Sequence, residues 1–356
     1  MEFGIAVATA ADSWKLVERA EALGFDAAWF YDTQMLSADC FVAMGAAAVK
    51  TSRIRLGTGV LVPSNRIAAV TANALASLNQ LAPGRIDFGV GTGFTARRAM
   101  GLGAMKLADM ETYIEVVLAL LRNETIEADV EGKRKKLRFL NPDAGLINTR
   151  DPIALHVSAY GPRARALTAK LGAGWVNFIS DEEMAASSMK AMKESWAAAG
   201  HADEGLRSTA FALGCVLEDG EPADSPRAVA QAGPRAAVLL HRAADAAIAG
   251  LPNSSTIPDA VADTVAEYVE YAKQNMPTDA PYLENHRGHL MFVREGERPY
   301  ITAPLIESTT FTGTQAALAE RIEAVRDAGY QQFVVQIPPG QESAIESWGI
   351  LRQSFA

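Results

Sequence analysis

Cysteine is nearly absent from this chain: Cys40 and Cys215 are the only two in 356 residues. Two cysteines so far apart cannot form a disulfide framework, so the fold must rest on its own core, and isolated cysteines are usually buried and inert. Long apolar runs are missing too. No stretch of about 18 apolar residues occurs, which excludes an ordinary membrane-spanning helix. The start of the chain shows no charged segment leading into an apolar one, as a secretory signal would. Positive charge is in deficit: 33 Lys and Arg against 42 Asp and Glu leave a formal net charge of −9. General binding to nucleic acid or to an anionic membrane wants a basic surface, so neither partner is expected. These absences predict a cytoplasmic protein. No Ser–His–Asp set, nucleophile elbow or P-loop is visible.

What is present is a soluble composition, 49% hydrophobic and 21% charged, and a long alternation. Short apolar segments alternate with segments of helical spacing. Strands are predicted at Phe3–Ala8, Asp26–Tyr31, Ile54–Val60, Ile86–Val90, 153–158, 174–179, 209–217 and Gln332–Ile337. Helices are expected between them, for example Ser13–Leu23, Asp39–Val49, Leu107–Leu121 and Thr314–Ala328, the last stopped by Gly329. Strict alternation implies a parallel sheet covered on both faces. Eight units predict a closed (β/α)₈ TIM barrel, with an open doubly wound sheet as the alternative. The chain reads as one domain over residues 1–356 with insertions at about 124–150 and 218–312. Within the first, Lys133-Arg134-Lys135-Lys136 reads as a solvated hairpin or loop. The second carries helical stretches at Arg227–Ala249 and Val261–Asn275.

In such barrels chemistry sits at the C-terminal ends of the strands, which nominates specific residues. After the fifth strand, Ser158-Ala159-Tyr160-Gly161-Pro162-Arg163 reads as a phosphate cradle. A helix N-terminus presents unpaired N–H groups, Pro162 suits a first turn, and Ser158 with either Arg163 or Arg165 adds donors; the alternative is an ordinary strand–loop–helix turn with surface arginines. Asp32, after the second strand, can orient a substrate, accept a ring N–H, or simply cap a helix. Gly57-Thr58-Gly59 and Gly89-Val90-Gly91-Thr92-Gly93 place glycines at two adjacent strand ends. They imply close approach of something flat, or tight packing. His286 and His289 have no third ligand nearby to suggest a metal, and read instead as substrate-facing acid/base histidines or as structural ones. His156, inside a strand, is expected in the barrel interior.

With these residues in view, the chain resembles the luciferase-like flavin-dependent oxidoreductases, the bacterial luciferase and methylenetetrahydromethanopterin reductase group. The matching stretches are Ala20–Phe30, Arg53–Val60, Leu81–Gly93, the Ser158–Arg163 loop, Gly313-Thr314 and Ala328-Gly329-Tyr330. The resemblance implies a (β/α)₈ barrel holding FMN or the deazaflavin coenzyme F420. It implies that Ser158, Tyr160, Gly161 and Arg163 hold the phosphate, that Thr58 and Gly59 lie along the ring, and that Gly91 and Gly93 lie near the ribityl chain. It also implies a non-proline cis peptide near Gly59-Val60. Where the family commonly has Asp-His, this chain has Asp32-Thr33, which leaves His289 to substitute. The expected activity is a two-component monooxygenase on a small organic substrate, using reduced FMN from a separate NAD(P)H:flavin reductase, with the 218–312 insertion as a lid. The alternatives are a deazaflavin-dependent reductase or dehydrogenase and a non-catalytic flavin-binding barrel. Dimers or tetramers are the implied assemblies.

Overall fold

A computed structural model describes residues 1–252 and 256–355. Eight parallel strands close a barrel: β1 (Glu2–Val7), β2 (Ala27–Phe30), β3 (Arg55–Thr58), β4 (Ile86–Val90), β5 (Ala154–Ser158), β6 (Gly174–Phe178), β7 (Ser208–Ala212) and β8 (Gln332–Ile337). Sequence neighbours are ring neighbours, and β8 closes on β1 from Gln332 opposite Glu2 to Ile337 opposite Val7. Both faces of each strand are covered, which is why the strand segments read as nearly continuous apolar runs. Phe3, Ile5, Val7, Ala28 and Phe30 point out to the helices and join the main core. Ala6, Ala8, Ala27, Trp29, Tyr31, Val176, Phe211 and Val334 point in and fill the barrel.

Trp29 is the central filler. A Cβ at Gly57 would come within 2.6 Å of its indole, and one at Gly59 within 2.8 Å of its own Cβ. The flat object that the strand-end glycines accommodate is therefore, in part, this indole. Its Nε1 donates to Gln332 Oε1 at 3.0 Å, and His156 meets it edge-on at 5.2 Å between ring centres. His156 is buried in the barrel interior, as expected.

The N-terminal end of the barrel is a floor of paired charges. Arg55 grips Asp87 through Nε at 2.9 Å and Nη2 at 2.7 Å. Arg207 and Gln332 both donate to Glu2 Oε2, at 2.8 and 2.9 Å. Burial alone would raise the Asp87 pKa, but the His156 and Arg55 partners hold it down at about 2.

Two local findings refine the sequence reading. The basic run does lie in an exposed hairpin, Ile126–Val130 with Lys133–Leu137, closed by Glu131 and Gly132 at positive φ. Two consecutive positive φ values give the turn that matches strand twist. By contrast, the seventh strand does not run unbroken from 209 to 217. It stops at Ala212, and Val216–Leu217 pairs instead with Gly313–Thr314 outside the barrel. The chain returning from the insertion crosses here. Phe311 N–H donates to the Leu213 carbonyl at 2.8 Å, and a Cβ at Gly214 would stand 1.7 Å from the Phe311 carbonyl oxygen.

The insertion after β7 has its own apolar cluster, built from the helices Pro226–Ile248, Ala262–Asn275 and Ala303–Thr309. No helix among the described residues is long and apolar enough to cross a membrane. Cys40 and Cys215 are buried and unpaired, and burial pushes both thiols up, Cys215 to about 11.

Candidate active site

The exits of β2 and β3 are fastened to each other. Asp32 is buried and fully engaged: Oδ1 accepts from Arg66 Nη1 at 2.9 Å, and Oδ2 from the Val62 N–H at 2.9 Å and Asn65 Nδ2 at 3.1 Å. Helix capping falls to Asp39, which accepts from the N–H groups of Phe41 and Val42. Asp32 thus anchors the loop after β3, and its lone pairs are already spoken for. The peptide between Gly59 and Val60 is cis, where the resemblance put it. Thr58 is fully buried in the wall and its hydroxyl donates to the Gly89 carbonyl at 2.6 Å. Neither Thr58 nor the Gly59 face turned to Trp29 offers a polar group to the mouth, and the surface there is carried by Val60. Gly91 faces Val60 and Ser158, while Gly93, at φ +76°, starts the short helix Phe94–Arg98.

The β5 exit brings four nominated residues together. Ser158 is half-buried, and its hydroxyl has no protein partner among the described residues. The helix Pro162–Lys170 begins at Gly161 without a side-chain cap, and the space in front of Gly161 is open. Arg163 is exposed, whereas Arg165 turns back to the Tyr160 carbonyl. Tyr160 keeps half its surface open; burial pushes its pKa up to about 12, against the nearby charges of Arg242 and Arg235. An uncapped helix start, a free hydroxyl and an unengaged arginine match the donor set a phosphate needs.

The insertion supplies what the barrel lacks. Its helix Pro226–Ile248 carries Arg235, His241 and Arg242, and the segment that follows Pro281 carries His286, His289 and Glu297. Glu297 is buried. Its Oε1 accepts from His241 Nε2 at 2.5 Å, from the Tyr268 hydroxyl at 3.1 Å, and from Arg294. His241 Nδ1 lies 3.2 Å from His289 Nδ1, and His289 Nε2 lies 3.4 Å from the Thr95 hydroxyl. Donor logic orients this row. The Glu297 carboxylate can only accept, so His241 Nε2 carries the proton. The His241 Nδ1 lone pair then accepts from His289 Nδ1–H. His289 Nε2 is left as a lone pair beside Thr95 at the β4 exit. Burial, with the nearby Arg242 and Arg235 cations, holds His289 well below its ordinary pKa, so it is neutral near pH 7. Burial would raise the Glu297 pKa, but His241 and Arg294 hold it at about 2.

Gln336, at the end of β8, ties this row to the barrel. It accepts from the Tyr31 hydroxyl at 2.8 Å and donates to the Leu290 carbonyl next to His289. The second arm of the network is anchored by Asp245, which takes Arg98 at 3.0 Å and His286 at 3.1 Å. Among the described residues no group of three His, Cys, Asp or Glu is placed to hold a metal ion. A recess of about 260 Å³ between Met1, Glu2, Asp26, Arg352 and Phe355 lies at the opposite end of the barrel, away from the histidine row and the β5 exit. Sequence reasoning named His289 and did not name Thr95, Arg235, His241, Arg242 or Glu297. One signal was available: Arg235 and Arg242 are seven residues apart on an otherwise Ala- and Leu-rich helix, and so share its buried face.

The geometry can be set beside known proteins. The family model for luciferase-like monooxygenases matches residues 4–332. An F420-dependent glucose-6-phosphate dehydrogenase from Beutenbergia cavernae is 36% identical over 141 residues, a match that spans 37% of this chain and 40% of that protein. A 5,10-methylenetetrahydromethanopterin reductase from Archaeoglobus fulgidus is 25% identical over 350 residues, covering 96% of this chain and 95% of the relative. Among solved structures, the coenzyme F420-dependent tetrahydromethanopterin reductase of Methanopyrus kandleri superposes with a TM-score of 0.67 at 21% identity, covering 98% and 97% of the two chains. At that identity the superposition speaks for the fold.

Proposed function

This chain belongs to the luciferase-like monooxygenase family, and on that premise we propose that it is a deazaflavin-dependent oxidoreductase interconverting a carbinol and a carbonyl at the barrel mouth. The observation that carries this reading is the oriented row Glu297–His241–His289, which ends in a neutral imidazole lone pair at the mouth. Removing a hydride from a carbinol carbon requires that the hydroxyl proton leave too, and a buried neutral imidazole is suited to accept it. A bound deazaflavin supplies the two-electron hydride acceptor and donor.

Each residue then has a role. Ser158, the N–H groups after Gly161, and Arg163 hold the coenzyme phosphate, with Tyr160 beside them. Val60, set by the cis peptide and by the Asp32 anchor, forms the apolar wall beside the ring. Asp32 acts through that loop as a positioning residue. His289 Nε2 takes the hydroxyl proton as the substrate C–O bond gains double-bond character, and returns it in the reverse direction. His241 and Glu297 fix the His289 tautomer and stabilise the imidazolium while the proton is held. The F420-dependent glucose-6-phosphate dehydrogenases among the relatives support the coenzyme choice over FMN.

The test is anaerobic. The purified protein is mixed with oxidised F420 and a panel of secondary alcohols and sugar phosphates, and loss of deazaflavin absorbance is followed. Turnover without oxygen is expected. Oxygen-dependent turnover that needs reduced FMN and a flavin reductase, with none on F420, would replace this reading with the two-component monooxygenase.

A further inference from the structure

We infer that Arg235 and Arg242 form a receptor for an anionic oxygen group, a phosphate or a carboxylate, on the substrate. Two turns of the helix Pro226–Ile248 separate them, so both project from one face, with a spacing of about 10 Å along its axis. Among the described residues neither makes an ion pair or a hydrogen bond, and the Nε of each is buried without a partner. Four other arginines at this end of the molecule have acid partners: Arg66 with Asp32, Arg98 with Asp245, Arg294 with Glu297 and Arg321 with Glu182. The nearby acids are already committed. Asp245 serves Arg98 and His286, Glu297 serves Arg294 and His241, and Asp181 caps the helix Glu182–Ala198.

Both sit on the helix that carries His241, whose Nδ1 lies 3.2 Å from His289 Nδ1, and His289 in turn reaches Thr95 after β4. Arg242 lies over Phe94, also after β4, at 4.9 Å, and the same ring carries Arg98 at 3.8 Å. A ring contact fixes the guanidinium plane without consuming its N–H donors. Burial and mutual repulsion both disfavour the Arg235 cation. Partly buried like charges with no counter-charge are costly, and a dianionic ligand between them is the natural relief. The chain as a whole carries −9, which makes this a local basic spot in an acidic protein. The coenzyme phosphate already has its own cradle at Ser158–Arg163.

This inference rests on the mouth being the reaction site, but its test does not depend on turnover. Inorganic phosphate is titrated calorimetrically into the Arg163→Ala protein, in which the coenzyme cradle is disabled, with and without Arg235→Gln or Arg242→Gln. Each added substitution should weaken phosphate binding at least tenfold, and both together should abolish it. In the otherwise wild-type protein the same two substitutions should change FMN and riboflavin affinity by less than twofold. They should leave the melting temperature in phosphate-free buffer unchanged or raised, while removing its rise on adding phosphate. Phosphate affinity that ignores both substitutions overturns the inference, as does a lowered melting temperature with no phosphate effect on the wild type. If the substitutions weaken FMN but not riboflavin, the pair serves the coenzyme and the inference also fails. Absence of turnover on F420 would sink the proposed function and leave the phosphate titration intact.

Discussion

At the floor of the barrel the strand charges meet their opposites: Arg55 with Asp87 and Arg207 with Glu2, with Gln332 bridging Glu2 to Trp29. At the mouth the pattern reverses. Among the described residues Arg235 and Arg242 have no acid or hydrogen-bond partner and the Ser158 hydroxyl has none, while His289 is held neutral. The same strands run through both ends, so fold alone does not account for the contrast. Paired charges resist separation and hold the strands in register. Unpaired donors wait for a ligand and cost stability until it comes. This division between a stabilising face and a reacting face is what the barrel architecture predicts.

Substitutions at the two ends should separate cleanly. The largest effect is expected from His289→Gln, which should lower kcat by roughly 10²–10⁴ while leaving the melting temperature nearly unchanged. A proportionate loss of folded protein would erase the distinction. At the floor, Asp87→Ala strands Arg55 beside a buried site and should cost about 3–5 kcal/mol, read by denaturant unfolding, with coenzyme affinity in the surviving folded protein retained. Next comes Arg163→Ala, which should weaken FMN or F420 about tenfold, the worth of one charge-assisted hydrogen bond, and leave riboflavin nearly unaffected. Equal weakening of both would remove the phosphate from the Ser158–Arg163 corner.

The pH response should also divide by region. His289 has a depressed pKa in the folded state, so its contribution to stability is complete above the unfolded value of about 6.5 and declines as pH falls below it. The decline is at most about 1.4 kcal/mol per pH unit. Glu297 and Asp87, both held at about 2, add a second loss that begins near the unfolded carboxylate range of about 4 and runs down to about 2. Denaturation midpoints between pH 7.5 and 5 read the first phase, and His289→Gln should flatten it without touching the second. The smallest effect is expected on the outer surface. Breaking the exposed Lys15–Asp12 pair should change stability by less than about 1 kcal/mol.

Much of the barrel was legible because period and punctuation agree. Apolar runs of five or six residues alternate with helical spacing, and all eight strands appear where that pattern puts them. The exception is instructive. Residues 209–217 have strand composition throughout, yet the ladder breaks at Leu213 because a distant segment, Phe311–Thr314, claims the next backbone groups. Nothing local records that claim. The Ser158–Arg163 corner was readable because its pieces are contiguous. The acid/base row was not, since Thr95, His241, His289 and Glu297 are spread over some 200 residues and meet only through the insertion. Asp32 shows the converse: a carboxylate in a promising place whose lone pairs are taken by Arg66, Val62 and Asn65.

The crossing at Gly214 has a consequence for how this molecule can change. The segments entering and leaving the insertion are clasped by hydrogen bonds from Phe311 to Leu213, Gly313 to Cys215 and Cys215 to Thr312, and by the pairing of Val216–Leu217 with Gly313–Thr314. The intervening ninety-odd residues therefore depart and return through a single knot beside β7. Lengthening or exchanging a loop whose ends are already tied costs little extra entropy. A foreign segment spliced between Leu217 and Phe311 should keep the clasp, the strand ring and the Ser158–Arg163 corner while replacing the Glu297–His241–His289 row together with what the mouth admits, so proton handling and selectivity would be exchanged as one piece.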